Sequence, residues 1–385
     1  MPVDPRRLIR IIEPRLGEMV AATRELVEME SPSFSKAEVD RLGRVLQAKF
    51  EALGGAIRWH PGGRFGNHLE VDFKASLETR RRAKPIMLLG HFDTVYDLGT
   101  LRKTPFRATK DRLFGPGTLD MKCGIVMMMA AIRALAETGG LPRAVTVLLN
   151  TDEEVGSESS RPVTEKLARQ AEAVFVLEPA QGAQGALKTA RKGVGNYHVK
   201  VTGRAAHSGV DFDKGRSAIV ELARQIERIA GFTDIKRGLT VNAGVMRGGT
   251  RTNVVAAEAE ADIDVRIAKM KDARLIEKKF RGLRAVDRGC KLEVRGGLNR
   301  PPMERTRDIA ALFAKARQIA GELGWELKEA ATGGGSDGNF TAALSVPTLD
   351  GMGAVGEGAH SEHESVLLAE LPRRTALLAA MIAAV

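Results

Sequence analysis

The chain has 385 residues, of which 43% are hydrophobic and 28% are charged, and its formal net charge is +11. This length exceeds that of one typical domain and predicts two. The composition is that of a globular protein rather than a fibrous or disordered one. No run of 18 consecutive apolar residues is present, so we expect no membrane-spanning helix and no membrane partner.

The cysteine content and the N-terminal sequence indicate which kind of metal site and which cellular compartment to expect. Cys123 and Cys290 are the only cysteines, which is too few for a disulfide framework or a thiolate zinc cage. A bound metal would therefore need His, Asp and Glu ligands. The first 16 residues carry Asp4 and Glu13 among their arginines and lack an apolar core of signal-peptide length. We therefore expect a cytoplasmic protein without a cleaved secretory signal.

The positive charge is spread along the chain, with one local cluster at Arg80, Arg81, Arg82 and Lys84. No nucleic-acid-binding motif accompanies this cluster, and aromatic residues make up only 4% of the chain. We therefore expect no nucleic-acid partner. A basic surface of this kind instead favours small anionic substrates.

The first half of the chain alternates helical and strand-like segments. Apolar residues recur with helical periodicity from Leu8 to about Phe50, and the Met- and Ala-rich segment 124–138 predicts another helix. Short apolar or alternating runs predict strands at residues 67–73, 85–90, 144–150 and 174–177. Short apolar strands between helices are typical of a parallel sheet covered on both faces. The predicted fold class is therefore α/β, with a mixed, mostly parallel sheet flanked by helices.

The pattern changes near residue 192. Strand, helix, strand, strand, helix and strand are predicted in turn at residues 195–202, 216–230, 239–246, 257–267, 272–285 and 291–295. This β-α-β-β-α-β order is that of a ferredoxin-like unit. Helix-and-strand alternation then resumes, so we expect an insertion at residues 192–301 in a catalytic domain formed by residues 1–191 and 302–385.

The first candidate motif, LLGHFDTV at residues 88–95, ends an apolar strand in a His-x-Asp pair. In extended backbone His91 and Asp93 point to one face, at the carboxyl end of the strand, where open α/β sheets bind ligands. His91 suits a metal ligand there, and Asp93 can accept the imidazole N–H that a metal does not use. An ordinary strand end with a hydrogen-bonded histidine is the alternative.

Two acidic motifs follow. In GPGTLDMK, at residues 115–122, Asp120 falls near the start of the Met-rich helix, where a carboxylate either caps the helix or bridges two metal ions. In LLNTDEEVGS, at residues 148–157, three successive acids follow an apolar strand. The adjacent Glu153 and Glu154 suit two different tasks, one binding metal and the other moving protons.

Two further motifs complete a set of metal-ligand types. VFVLEP, at residues 174–179, ends a strand in Glu178, and GAHSEHE, at residues 358–364, supplies His360, with His363 as a rival. Taken alone, the first is a solvated strand end and the second a polar surface loop. Together the five motifs provide two imidazoles, a shared carboxylate and two terminal carboxylates, which suffice for two zinc ions and a shared water.

The motifs GHFDTV, GPGTLDMK, TDEEVGS, LEP and GAHS, in this order, resemble those of the aminoacylase and desuccinylase superfamily of zinc metallopeptidases. The similarity is greatest to its glutamate carboxypeptidase branch and covers nearly the whole chain. It implies a zinc-exopeptidase-like catalytic domain that holds two Zn²⁺, with Co²⁺ or Mn²⁺ as substitutes. The metal ligands that the resemblance implies are His91, Asp120, Glu154, Glu178 and His360.

The resemblance also implies a role for each residue of the set. His91 and Glu178 complete one zinc site, Glu154 and His360 the other, and Asp120 bridges them. By this resemblance Glu153 is the general base, and Asp93 is the orienting partner of His91. It further implies a cis peptide bond after the bridging aspartate.

Within the insert, VTGRAAHSG at residues 201–209 resembles the opening of the small domain of this family. That domain commonly forms a homodimer, and its histidine, here His207, steadies the oxyanion. Asn253 matches a residue that polarises the scissile carbonyl or binds the substrate carboxylate, and Arg266 matches an arginine that clamps that carboxylate. Gly335, in the loop GGGSDGN at residues 333–339, offers backbone amides for an anion. Further basic candidates are Arg191, Lys192 and Arg300, for each of which an exposed salt bridge is the alternative.

The implied activity is that of a metallocarboxypeptidase. It would hydrolyse an amide bond and release a C-terminal amino acid, glutamate above others, from a small anionic peptide or N-acyl amino acid. An N-acyl amino acid deacylase or a dipeptidase would use the same metal centre and is the main alternative. A ligand-binding relative without activity is another, but it would have no need of the base Glu153.

Overall fold

The computed structural model describes residues 3–76 and 83–385, so the arginines at positions 80–82 lie outside the described residues. The chain divides into two compact units. Unit 1 comprises Met1–Ala190, Arg305–Thr332 and Ser336–Val385, and unit 2 comprises Arg191–Glu304 and Gly333–Gly335. In the described ranges, every helix is too short or too polar to cross a membrane.

Helices and strands are numbered along the described chain. The helices are α1 (Pro5–Ile12), α2 (Leu16–Val27), α3 (Lys36–Ala52), α4 (Thr100–Lys103), α5 (Cys123–Glu137), α6 (Arg161–Gln170), α7 (Ala218–Ala230), α8 (Met270–Arg281), α9 (Arg307–Glu322), α10 (Gly338–Ala343) and α11 (Glu370–Ala384). The strands are β1 (Ala56–His60), β2 (His68–Phe73), β3 (Ile86–His91), β4 (Arg107–Ala108), β5 (Arg112–Phe114), β6 (Val145–Asn150), β7 (Ala173–Val176), β8 (Leu187–Arg191), β9 (Gly193–Thr202), β10 (Thr240–Gly248), β11 (Glu258–Ile267), β12 (Lys291–Arg300), β13 (Glu329–Thr332), β14 (Thr348–Leu349), β15 (Gly356–Glu357) and β16 (Ser365–Leu367).

The large sheet of unit 1 has the strand order β1-β2-β6-β3-β7-β14. The neighbours β6, β3, β7 and β14 run parallel, whereas β1 and β2 pair antiparallel with their neighbours. Helices α3, α5 and α10 pack against the sheet. All residues of β3 are buried, which explains its unbroken apolar run. The predicted α/β class, with a mixed, mostly parallel sheet, is confirmed.

The sequence did not predict β1, which lies at the edge of this sheet and is only partly buried. It also did not predict a small second sheet of unit 1, in the order β15-β16-β5-β4. Strands of two or three residues carry no detectable periodicity. In this sheet Ser365 of β16 lies opposite Phe114 of β5. The hairpin between β15 and β16 is thereby brought next to the loop that follows β5.

Unit 2 contains an antiparallel sheet in the order β10-β11-β9-β12, with the helices α7 and α8 between its strands along the chain. This is the predicted ferredoxin-like arrangement. Burial alternates along β9 and β11, so one face of the sheet packs on the helices and the other is open. On the packed side Tyr197 stacks on Phe280, with ring centroids 3.8 Å apart. Unit 2 also includes Gly333–Gly335. The sequence did not predict that this later segment would belong to the inserted unit.

A buried arginine ties the C-terminal helix to the large sheet. Arg374 of α11 is fully buried and donates hydrogen bonds to the carbonyl oxygens of Gly353 at 3.1 Å, Gly185 at 2.6 Å and Gly351. Burial lowers the pKa of Arg374 to about 10, which leaves the guanidinium charged at neutral pH. The N–H of Gly353 in turn donates to the carbonyl oxygen of Glu178 at 3.0 Å. Helix α11 therefore supports the strand end that carries this carboxylate.

Replacing Arg374 with methionine would leave three buried carbonyl oxygens without their donor. Because an unpaired buried polar group costs about 1–3 kcal/mol, we expect the free energy of unfolding to fall by about 3–5 kcal/mol. Urea denaturation measures this change. The control R169M removes an exposed arginine and should change the same quantity by less than about 1 kcal/mol. Similar small effects of both variants would contradict the role of Arg374.

Candidate metal centre

The carboxyl ends of three neighbouring parallel strands meet at one edge of the large sheet. Strand β3 ends at His91, β6 ends at Asn150 and β7 ends two residues before Glu178. His91 lies opposite Asn150 in register, and Glu153 and Glu154 follow in a short 3-10 turn. This edge is the usual ligand-binding position of an open α/β sheet. The topology therefore gathers the residues of three of the predicted motifs.

The carboxylate of Asp120 lies between two histidines. Its Oδ1 is 3.2 Å from Nε2 of His91, and its Oδ2 is 3.3 Å from Nε2 of His360. Nε2 of His91 is also 3.4 Å from Oε1 of Glu178, and Nε2 of His360 is 3.2 Å from Oε2 of Glu154. The five residues therefore form two groups that share one carboxylate.

The spacing of these atoms fits a metal ion in each group. Ligands about 2.0–2.1 Å from a tetrahedral zinc ion lie about 3.3–3.4 Å from one another, and the four distances here are 3.2, 3.3, 3.4 and 3.2 Å. Oε1 of Glu154 is buried and has no hydrogen-bond partner among the described residues, as expected for an oxygen that binds a non-protein group. The donor set is thus suited to a dinuclear centre.

The pKa values of the cluster are shifted by burial and by contacts between carboxylates and imidazoles. Burial by itself lowers the pKa of His91, but hydrogen bonds to Asp120 and two further carboxylates outweigh burial and hold it well above its ordinary value. Hydrogen bonds to Asp120 and Glu154 raise the pKa of His360 to about 11. Burial raises the pKa of Glu154 to about 7. Crowded carboxylates retain protons on and around them unless another cation supplies the positive charge.

Asp93 connects the end of β3 to the two glutamates. Its carboxylate accepts a hydrogen bond from the Ser33 hydroxyl at 2.7 Å and from the backbone N–H groups of Glu153 and Glu154, each at 3.3 Å. Nδ1 of His91 is 3.1 Å from the backbone carbonyl oxygen of Asp93 and 3.4 Å from its carboxylate. The contact predicted for the carboxylate is the longer of the two. Asp93 also positions the glutamates through their main chain.

The Met-rich helix α5 packs closely on β3. Met127 and Met128 are fully buried and Met129 is partly buried, so this segment packs into the core. A Cβ atom at Gly90 would lie 2.4 Å from Cε of Met121, so a larger residue there would require the thioether to move. The peptide bond between Asp120 and Met121 is cis, as the resemblance implied.

Three polar residues near the cluster have other contacts. The buried carboxylate of Asp152 accepts hydrogen bonds from the backbone N–H and the hydroxyl of Ser159, each at 2.7 Å, so it orders the segment before α6. His363 is exposed, and its Nδ1 is 3.0 Å from a serine hydroxyl. Of the two rival histidines, the structure thus places His360 against the carboxylates. Cys123 is fully buried, and burial raises the pKa of its thiol to about 12.

The remaining predicted site residues belong to unit 2. His207 and Asn253 are exposed neighbours, because His207 lies opposite Val254 in an antiparallel bridge and the N–H of Ser208 donates to the carbonyl oxygen of Asn253 at 3.1 Å. Nδ1 of His207 accepts the N–H of Gly209 at 3.2 Å. In the neutral imidazole the proton is then on Nε2, which can donate a hydrogen bond to an oxyanion.

Arg266 already has a carboxylate partner. Its Nε is 2.9 Å from Oδ1 of Asp264, and its Nη2 is 2.9 Å from Oδ2. Arg266 lies opposite Val194 of β9, and Arg300 of β12 lies opposite the same residue because the register shifts after Leu298. Directly paired residues share a face of the sheet. The bulge therefore places the two arginines on one face, on either side of Val194.

Gly335 packs against this same end of the sheet. A Cβ atom there would lie 2.8 Å from Cγ2 of Val194 and 3.0 Å from Cδ of Arg300, so a larger residue would require movement. Its carbonyl oxygen accepts a hydrogen bond from Nη1 of Arg191 at 2.8 Å. Within unit 2, the loop at residues 333–335 and the two basic strands thus form one surface.

Comparison with known proteins gives three findings. The family model described as peptidase family M20/M25/M40 matches residues 87–384. Carboxypeptidase G2 from Pseudomonas sp. (strain RS-16) is 30% identical over 376 residues, covering 94% of this chain and 88% of that protein. A tripeptidase from Staphylococcus aureus subsp. aureus Mu50 has a similar structure, with a TM-score of 0.81, 20% identity and coverage of 95% and 97% of the two chains.

A further solved structure shares the fold. It is a Bacillus subtilis protein described as a dinuclear metal-binding peptidase of the M20 family. Its TM-score is 0.68 at 16% identity, with coverage of 96% of this chain and 98% of that chain. At identities this low, the two solved structures show a common fold.

Zinc added to the chelated protein should raise its melting temperature. A ligand that binds only the native state stabilises it by about 2.7 kcal/mol at 100 times its dissociation constant. In D120N an amide replaces one oxygen of the shared carboxylate, so we expect at most half of this thermal shift in differential scanning fluorimetry. D97N changes an exposed aspartate and should keep the full shift. An undiminished shift in D120N would contradict the bridging geometry.

Proposed function

The chain belongs to peptidase family M20/M25/M40, and from this we propose that it is a di-zinc carboxypeptidase releasing a C-terminal amino acid from a peptide or N-acyl substrate. Family membership confirms the resemblance read from the motifs and makes the chain a metal-dependent hydrolase. The observation that carries the proposal is the Asp120 carboxylate shared by His91 and His360. The relative named carboxypeptidase G2 supports cleavage at the carboxyl terminus, with glutamate as the first residue to test.

The residues that would hold the two ions are His91, Asp120, Glu154, Glu178 and His360. Two zinc ions bound there would lower the pKa of a shared water and polarise the scissile carbonyl. The dinuclear metal-binding peptidase among the similar structures supports two ions rather than one. Co²⁺ and Mn²⁺ suit the same oxygen and nitrogen donors.

Glu153 is the proposed general base. Asp93 holds its backbone N–H at 3.3 Å, and a carboxylate oxygen of Glu153 lies within 4.8 Å of the ligand atoms of His91 and Glu178. From this position Glu153 would accept a proton from the attacking water and return it to the leaving amine. The neighbouring Glu154 contacts His360 instead, at 3.2 Å.

The charge of unit 2 supports an anionic substrate. This unit contains 24 of the 59 Lys and Arg residues but only 14 of the 48 Asp and Glu residues, so it carries +10 of the net charge of +11. A positive field of this kind concentrates anions near the surface. In the proposed reaction Arg266 would exchange its partner Asp264 for the free carboxylate of the substrate. His207 and Asn253 would donate hydrogen bonds to the reacting carbonyl oxygen.

A dipeptidase or an N-acyl amino acid deacylase on the same scaffold is the second candidate. The tripeptidase among the similar structures supports the peptidase of these two. A panel of N-acyl amino acids, dipeptides and tripeptides, assayed with zinc and after chelation, separates these activities.

We also propose a homodimer formed through unit 2. The edge strand β10 supports it with the exposed apolar side chains Val245 and Met246, and light scattering on the full chain tests it.

Replacing Glu153 with glutamine keeps the size of the side chain but removes its basicity. We expect kcat to fall by about 10²–10⁴-fold, the usual contribution of a general base, with two metal ions per chain retained in elemental analysis. E158Q removes an exposed carboxylate a few residues away and should have wild-type activity. Wild-type turnover by E153Q would overturn the assignment, and loss of metal would make Glu153 a ligand.

Replacing Arg266 with alanine should raise KM about 10–100-fold for substrates with a free C-terminal carboxylate, because a bidentate charged pair is lost. The kcat of these substrates should change much less. R274A, which removes an exposed arginine of α8, should leave both constants unchanged. An equal effect of R266A on an amidated substrate would show that Arg266 does not recognise the carboxylate.

A further inference from the structure

A buried carboxylate outside the proposed ligand set lies behind Asp120. Glu364 is 1% exposed, and its Oε1 accepts hydrogen bonds from the backbone N–H groups of Leu119 at 2.6 Å and Asp120 at 2.9 Å. Its Oε2 accepts the N–H of Gly117 at 3.0 Å and the hydroxyl of Tyr96 at 2.6 Å. Three of these four donors belong to the loop that leads to the bridging aspartate.

The loop that carries Asp120 depends on this carboxylate for its shape. Gly115 and Gly117 have positive φ angles of 145° and 72°, and Asp120 itself has non-helical backbone angles. The N–H groups of Gly117, Leu119 and Asp120 all point to one side, where they converge on the carboxylate of Glu364. Successive amides that converge in this way form an anion-binding concavity, and here the protein supplies the anion itself.

The same residue holds the hairpin that carries the second histidine. Glu364 lies four residues after His360 and directly before β16, and its carbonyl oxygen accepts the N–H of Gly115 at 3.3 Å. The hydroxyl of Tyr96 is also 3.0 Å from the carbonyl oxygen of Ser361, inside the hairpin. Side chain and main chain of Glu364 therefore fasten the Asp120 loop to the His360 hairpin.

The backbone of His360 shows why such a fastening is needed. Its φ of 64° is in the left-handed region, which costs a residue other than glycine about 1–3 kcal/mol and persists only where the surroundings enforce it. Half of the His360 side chain is exposed, so packing alone holds it weakly. The hairpin contacts made by Glu364 supply the constraint.

Building on the metal centre of the proposed function, we propose that Glu364 is a positioning residue that sets the distance of the Asp120 carboxylate from both histidines. It contacts the backbone N–H of Asp120 rather than the Asp120 carboxylate. Its effect on a bound metal would therefore come only from the position it gives to that carboxylate. Supporting residues of this kind typically contribute 10–100-fold to metal affinity.

The variant E364Q keeps the size of the side chain but turns one acceptor oxygen into an NH₂ group that faces donors. We expect its zinc affinity to fall about 10–100-fold in competition with a chromophoric chelator, and the visible spectrum of its Co²⁺ form to change. Y96F removes a single donor to Glu364 and should lower the affinity less, by about 2–5-fold. The matched control E362Q changes an exposed glutamate of the same hairpin and should bind zinc as the wild type does.

Each affinity is measured on the chelated, folded protein well below its melting temperature, so hydrolysis is not part of the readout. Wild-type zinc affinity and Co²⁺ spectrum in E364Q would overturn the inference, as would an equal loss in E362Q. If E364Q does not fold, unchanged zinc affinity in Y96F would overturn it. Failure of the wild type to bind any metal would instead overturn the proposed function, and the inference with it.

Discussion

The shared carboxylate of Asp120 is the interaction around which the larger unit is organised. One of its oxygens faces His91 and the other faces His360, so the positions of both histidines relative to Asp120 decide the geometry of the two groups. His91 ends strand β3, which lies between two parallel neighbours in the large sheet and is buried along its whole length. Asp120 and His360 lie in loops and depend on the small sheet between β5 and β16. The large sheet and the small sheet therefore both contribute to the contacts of the Asp120 carboxylate.

Charge density explains why this arrangement would accept metal ions. The buried or nearly buried carboxylates of Asp93, Asp120, Glu154 and Glu178 lie at one sheet edge. Burial alone would disfavour their ionised forms, and the raised pKa values of His91 and His360 are a consequence of this crowding. Divalent cations relieve the repulsion more completely than protons do, because each carries two charges and binds several oxygens.

Patterning explains which features could be predicted from the sequence. His91 and Glu178 follow apolar runs that end abruptly, and such runs reveal both the strand and the sheet edge. The ferredoxin-like order of unit 2 is visible for the same reason. The short strands β5 and β16 have no periodicity, and Arg374 and Glu364 resemble many surface residues in sequence, because burial of a charged side chain leaves no local signal. The pair of Asp264 and Arg266, by contrast, has a local signal, because residues two apart in a strand share a face.

Local motifs and hydrophobic patterns were enough to predict the residue types of the candidate centre, their order along the chain and the two-unit organisation. The resemblance had favoured His360 over its rival His363, and the structure places His360 against the carboxylates. Folding alone distinguishes the two glutamates of this hairpin, because Glu364 is buried and Glu362 is exposed. Side chains a few residues apart in one hairpin have the same sequence context, so the sequence cannot distinguish their surroundings. Their surroundings depend on strands more than two hundred residues away, and these come into contact only in the folded chain.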